Sequence, residues 1–313
     1  MISNIFGKRK PVNYILIATY LFLYVMAGRY FLSDTALSLP AIASTAWIFT
    51  LLMVTAFGTD LLDSRHSLSG KNAYVMFLFA TSLGLFPKML TSENIVIAHI
   101  FILMAINRLF GLSNETNTKQ KIFDAALWTT VAALFYSWAV LYFTVVYMAI
   151  VLYTPKKYKN WSIPLIAVMA MLILRYTYFL WLENDSGILD VFQFTIQWEY
   201  LTYSPSNYFL PFVFLAVMGF IATFTYGIRA VKKRAMQQSK GFLIITSLLI
   251  GTSMVLFFGD EHKTSLLFIM FPVSVLFANY LNRIKKKWIK ESFLWLFLLA
   301  PLAILMLQFA AVR

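Results

Sequence analysis

Apolar residues in this chain come in long runs broken by short polar gaps. Measured against the roughly 20 residues that cross a bilayer as a helix, the runs mark eleven segments. They lie near 11–32, 41–58, 73–88, 94–112, 123–135, 139–154, 161–183, 206–228, 241–258, 265–282 and 292–311. The pattern predicts an all-α, polytopic transmembrane helical bundle of about eleven spans, in which residues 1–313 form a single transmembrane domain. Residues 124–154 read either as one long helix or as two short ones meeting at Tyr136-Ser137-Trp138. Between 192 and 200, Phe192, Phe194, Ile196, Trp198 and Tyr200 alternate with Gln193, Thr195, Gln197 and Glu199. That period of two predicts an extended ribbon on the outer membrane boundary.

Charge orients the bundle. The gaps 59–72, 108–122, 155–160, 229–240 and 283–291, with the N-terminal stretch Lys8-Arg9-Lys10, carry 21 of the 26 Lys and Arg residues. Lys and Arg accumulate in cytoplasmic loops, so this split predicts a cytoplasmic N-terminus and a periplasmic C-terminus. It also favours a hairpin at 123–154, because a single helix there would put Lys156, Lys157, Lys159 and the later basic gaps outside. The first apolar run has no small-residue cleavage site and reads as a retained helix.

Composition agrees, since 60% hydrophobic and 18% aromatic residues exceed what a soluble core of 313 residues would hide. The net charge of +13 is spread over short juxtamembrane gaps, where it meets anionic headgroups, and no stretch remains to read nucleic acid. With no cysteine, disulfides and thiolate chemistry are excluded. His99 reads as a packed, hydrogen-bonded histidine and His66 as a loop residue. No metal site and no cofactor is expected, and no nucleotide-binding or hydrolase motif is present.

The acidic residues divide in the opposite sense, and eight of thirteen fall in outer gaps. Asp260, Glu261, His262 and Lys263 form a titratable loop between two apolar spans, able to bind a phosphate and move a proton; a short polar connector with a helix start at Thr264 or Ser265 is the plainer reading. Arg175 lies eight residues before Glu183, about 12 Å down the same helix. An intramembrane arginine is either functional or snorkels outward among Tyr176, Tyr178 and Trp181.

Two resemblances follow. Residues 61–74 (Leu-Leu-Asp-Ser-Arg-His-Ser-Leu-Ser-Gly-Lys-Asn-Ala-Tyr), Lys121–Trp128, Leu134–Trp138, His262-Lys263-Thr264 with Phe271-Pro272, and the opening Ile5–Asn13 resemble an uncharacterised family of multispanning inner-membrane proteins from Bacteroidota. That resemblance implies multi-pass placement in the bacterial inner membrane. His262-Lys263, followed by Leu267-Phe268 and Phe271-Pro272, resembles the His-Lys-Glu-x-Arg-Phe run of polyprenyl-phosphate-sugar glycosyltransferases of the GT-C superfold. Thr264 stands where that run has Glu, and an apolar leucine where it has Arg. The likeness implies a GT-C-like arrangement acting on a polyprenyl-phosphate-linked sugar or envelope glycan at the periplasmic face. Asp34 would then be the catalytic base, with Arg175, His262, Lys263, Asp260 and Glu261 around the lipid phosphate and Trp198 and Tyr200 stacking on the acceptor. A non-catalytic membrane subunit or scaffold that binds other membrane subunits is the competing expectation. A transporter or flippase is third.

Overall fold

The computed structural model describes residues 2–31, 38–86, 92–114, 116–182, 210–230, 235–257 and 264–312, apart from the side chains at 31, 228–230, 235–237, 257, 264 and 309–312. Every described element is helical: α1 Ile2–Phe6, α2 Pro11–Met26, α3 Leu39–His66, α4 Tyr74–Gly84, α5 Glu93–Phe110, α6 Thr118–Phe135, α7 Phe143–Tyr153, α8 Ile163–Trp181, α9 Leu210–Ala230, α10 Ala235–Phe257, α11 Leu267–Leu281 and α12 Lys287–Val312. The described part of each of the eleven apolar segments is therefore largely helical. Seven helices are long and apolar enough to cross a membrane, while Tyr74–Gly84, Ser137–Tyr153 and Leu267–Leu281 are shorter apolar helices.

Local chemistry sets the ends. Proline occupies the first turn of α2, α3 and α8, where its missing N–H costs nothing. Ser38 caps α3 by accepting from the Ala41 amide at 3.4 Å. The helix ends at Ser67, whose left-handed backbone (φ 50°, ψ 49°) turns the chain back toward α4. α3 runs two turns past the apolar segment ending at 58, because its terminal carboxylates Asp60 and Asp63 find a partner in Arg9. α2 closes in a π turn, Ala27–Phe31, and Arg29 donates from Nη1 to the Ser44 and Thr45 hydroxyls of α3 at 2.7 and 3.0 Å.

Burial separates the helices into a centre and a periphery. All eleven residues of α4 are buried, and so is every residue of α11 except Tyr280. Rings fill the space around them: Phe277 lies 4.9 Å from Phe297 of α12, and Phe6 of α1 lies 4.7 Å from Phe77 of α4. α4 is only about 16 Å long, roughly half a hydrocarbon core, a length tolerated where neighbouring protein surrounds it. At the other extreme only Pro164 and Ala167 of α8 are buried.

Residues 118–153 form two helices, not one. α6 stops where Tyr136 turns extended (φ −143°, ψ 103°), and a 3-10 stretch, Ser137–Tyr142, leads into α7. One cleft is lined by Asn117, Thr118, Lys119 and Gln120 together with Lys157 and Asn160, so both ends of the segment lie side by side. The chain therefore goes out and returns.

All six basic gaps meet at one end of the bundle. Arg9 bonds to Asp60 and Asp63, His66 to Asn107 at 2.8 Å, and Lys240 to the His66 carbonyl at 3.1 Å. Asn72 reaches Asn282 at 2.8 Å, beside Arg283, and the 117–120/157–160 cleft joins the remaining pair of gaps. We call this end the basic face. The extended ribbon expected at 192–200 lies outside the described residues, and no strand occurs among those described.

Candidate functional site

The most highly organised polar region is the α3–α4 connection at the basic face. The Arg9 guanidinium spans two carboxylates one helical turn apart, donating from Nε to Asp60 Oδ1 at 3.0 Å and from Nη2 to Asp63 Oδ2 at 2.6 Å. Their other oxygens are used as well: Tyr14 donates to Asp60 Oδ2 at 2.8 Å, and the Ser69 amide donates to Asp63 Oδ1 at 2.7 Å. Three asparagines then bind the loop to α11. Asn279 Nδ2 donates to the Leu68 carbonyl at 2.9 Å, Asn282 Nδ2 donates to the Ser69 carbonyl at 3.0 Å, and Asn72 Nδ2 donates to Asn282 Oδ1. An oriented guanidinium with fully used carboxylates holds structure; it offers no acid or base to a substrate.

Beside this network a polar cavity of about 230 Å³ opens between the loop, α9, α10 and α11. Ser67, Ser69, Tyr226, Lys240, Asn279 and Arg283 supply its polar lining. A second space, an apolar groove of about 420 Å³, runs between α3 and α5 with Arg65 and Asn107 at its polar end.

Farther from the basic face, polar atoms are buried in the middle of the bundle. His99 of α5 is 1% exposed, with the Phe79 ring stacked 5.8 Å away and the Phe268 ring edge-on at 5.6 Å. The packed histidine expected from the sequence is what the structure shows, and its Nδ1 has no hydrogen-bond partner among the described residues. Ser82 follows Phe79 by three residues and Ser265 precedes Phe268 by three, so both lie about one turn beyond the imidazole, away from the basic face. Both are 0% exposed, and their hydroxyls also lack partners. Such groups are rare in native proteins and call for an explanation, because an unmatched buried hydroxyl carries its full desolvation cost.

Of the site residues expected from the sequence, Arg175 is described. It is half-buried on α8, with its Cζ 4.8 Å from the centre of the Phe179 ring, one turn along. This is a cation–π arrangement that shields the charge locally. Asp34, Trp198, Tyr200, Asp260, Glu261, His262 and Lys263 lie outside the described residues, so the structure bears on neither their positions nor their distances from Arg175. Among the described residues no group of three His, Asp or Glu could hold a metal.

Sequence reading passed over Arg9, Asp60, Asp63, Asn72, Asn279, Asn282 and the Lys240–Arg283 pair. One signal was available: Asp60/Asp63 and Asn279/Asn282 are i,i+3 polar pairs at the ends of apolar helices, which puts each pair on one face.

No curated protein and no solved structure matches the chain. One family model matches residues 1–312, described as Family of unknown function (DUF6427), and the chain belongs to that family.

Proposed function

We propose that this is an eleven-span protein of the bacterial inner membrane, with its basic face in the cytoplasm, that transfers a sugar from a polyprenyl-phosphate donor at the periplasmic face. The observation that carries this reading is the buried trio His99, Ser82 and Ser265, whose Nδ1 and two hydroxyls have no partner among the described residues. They lie at the end of the core from which the sequence continues into the titratable stretch 260–263. Functional sites are where proteins keep polar atoms that packing alone would eliminate. The π turn holding Arg29 against α3, five residues before Asp34, supports it further, since π turns are frequent beside functional residues.

In this mechanism the Asp34 carboxylate takes the proton of an acceptor hydroxyl as that oxygen bonds to the sugar's anomeric carbon. The bond from the anomeric carbon to the phosphate oxygen breaks, and the lipid phosphate leaves with the electron pair. Arg175, His262 and Lys263, with Asp260 and Glu261 beside them, balance the phosphate charge, which provides most of the rate enhancement. Trp198 and Tyr200 stack on the acceptor. Asp34→Asn is expected to abolish glycan transfer without loss of expression or insertion, since a general base contributes roughly 10²–10⁴-fold. An unchanged envelope glycan profile in an Asp34→Asn, His262→Ala strain would overturn the transferase reading.

A second reading, a non-catalytic subunit that gathers other membrane proteins, is favoured by α8. That helix exposes Leu165, Ile166, Met169, Ile173, Leu174 and Trp181. Under this reading the double substitution is silent, and polar replacements along α8 release partner subunits in a pull-down.

A further inference from the structure

We propose that the cavity between the α3–α4 loop, α9, α10 and α11 is a binding site for a phosphate-bearing anion at the basic face. The inference is independent of the transferase reading, which concerns the opposite side of the membrane. Its volume of about 230 Å³ is several times the roughly 30 Å³ a water molecule occupies in the liquid. It therefore has room for a polyatomic group, where a single bridging water would leave most of the space unfilled. Two cations, Lys240 and Arg283, line it together with hydroxyls and an amide, and no carboxylate is among its described lining residues. The nearby carboxylates Asp60 and Asp63 are already matched by Arg9, so they do not cancel this charge.

The donors are held in place. Lys240 Nζ gives one hydrogen bond to the His66 carbonyl at 3.1 Å, which orients the ammonium and leaves two of its three N–H groups for a ligand. The Ser69 hydroxyl is buried and has no partner among the described residues, while the loop that carries it is fixed by Asn279 and Asn282. Gly241 completes the wall, because a methyl group there would collide with the Tyr226 phenol, so only glycine lets α9 and α10 close around the space. A Lys or Arg that merely sets topology requires neither a cavity nor an orienting bond. Exposed Phe220, Phe224 and Phe242 on α9 and α10 suit a neighbouring acyl phase, and basic pockets between spans on the cytoplasmic side recognise anionic headgroups. The same donors would take the phosphate of a soluble compound, and the experiment separates the two sources.

The full-length protein is reconstituted in nanodiscs of phosphatidylcholine alone or with phosphatidylglycerol, and retained lipid is counted by native mass spectrometry with inorganic phosphate or diphosphate as competitor. We expect preferential retention of phosphatidylglycerol, weakened about tenfold in Lys240→Gln/Arg283→Gln, as befits the loss of charge-assisted hydrogen bonds. The exposed pair Lys285→Gln/Lys286→Gln removes equal charge from the same face and should leave retention unchanged. Should wild-type protein ignore phosphatidylglycerol yet be stabilised against heat by inorganic phosphate or diphosphate, in a manner lost in the pocket variant, the site stands and its ligand is soluble. Absence of both responses in wild-type protein overturns the proposal whether or not the variants fold. An equal loss in the Lys285/Lys286 control also overturns it, since diffuse surface charge would then suffice.

Discussion

The Arg9 carboxylate network at the basic face and the surroundings of His99 treat their buried polar atoms in opposite ways. At the basic face every oxygen of Asp60 and Asp63 accepts a hydrogen bond, and the Asn279 and Asn282 amides tie the loop to α11. Around His99, three buried side chains offer polar atoms that nothing in the described protein meets. Matched polar groups specify an arrangement and rigidify it; unmatched ones cost stability and persist where something else uses them. Composition would not have separated the two regions, because both draw on short polar residues set in apolar helices.

The largest effect is expected from Asp63→Ala. The side chain of Asp63 is fully buried, and its loss takes from Arg9 one of its two carboxylate partners and leaves the Ser69 amide without its acceptor. Breaking such a pair costs about 3–5 kcal/mol, seen as a large fall in the midpoint of thermal unfolding in detergent. Asn282→Leu comes next. It removes the acceptor for Asn72 and the donor to the Ser69 carbonyl, worth roughly 1–3 kcal/mol in the same assay. The smallest effect sharpens the comparison most. Ser82→Ala with Ser265→Ala deletes hydroxyls that make no hydrogen bond among the described residues, so stability should stay within about 1 kcal/mol of wild type or rise, while under the transferase reading glycan transfer falls. A loss well beyond that would mean bound water satisfies these hydroxyls, and the contrast between the two regions would disappear.

Much of the fold was legible because the membrane imposes a length and the basic gaps impose a direction. The Tyr136 break was readable from charge alone, since one helix would have carried Lys156, Lys157 and Lys159 to the wrong end. Less legible was the true end of α3. Asp60 and Asp63 look like loop residues until Arg9, 51 and 54 positions earlier, is seen to neutralise them. The cavity was invisible for the same reason, as Ser69, Tyr226, Lys240 and Arg283 come from four separate stretches of chain. Periodicity also failed to rank burial: α4 and α8 are both mainly apolar, yet one is enclosed by protein and the other is mostly exposed. The candidate site was the least legible part, since Asp34 and 260–263 were chosen by residue type and by resemblance, not by periodicity.

The contact between Ser3 and Glu291 joins the first helix to the last. Ser3 gives Glu291 Oε1 both its amide, at 3.1 Å, and its hydroxyl, while the Phe6 carbonyl accepts from Ala73 at 2.9 Å and Lys290 lies 5.7 Å from the centre of the Tyr74 ring. During synthesis α1 can dock on the start of α4 early, but its carboxylate partner emerges 288 residues later. The clasp around α4 therefore closes only when α12 has entered the membrane. Until then α1 is held by one side only, and a chain cut short before α12 would leave bare the faces of α1 and α4 on which that helix packs.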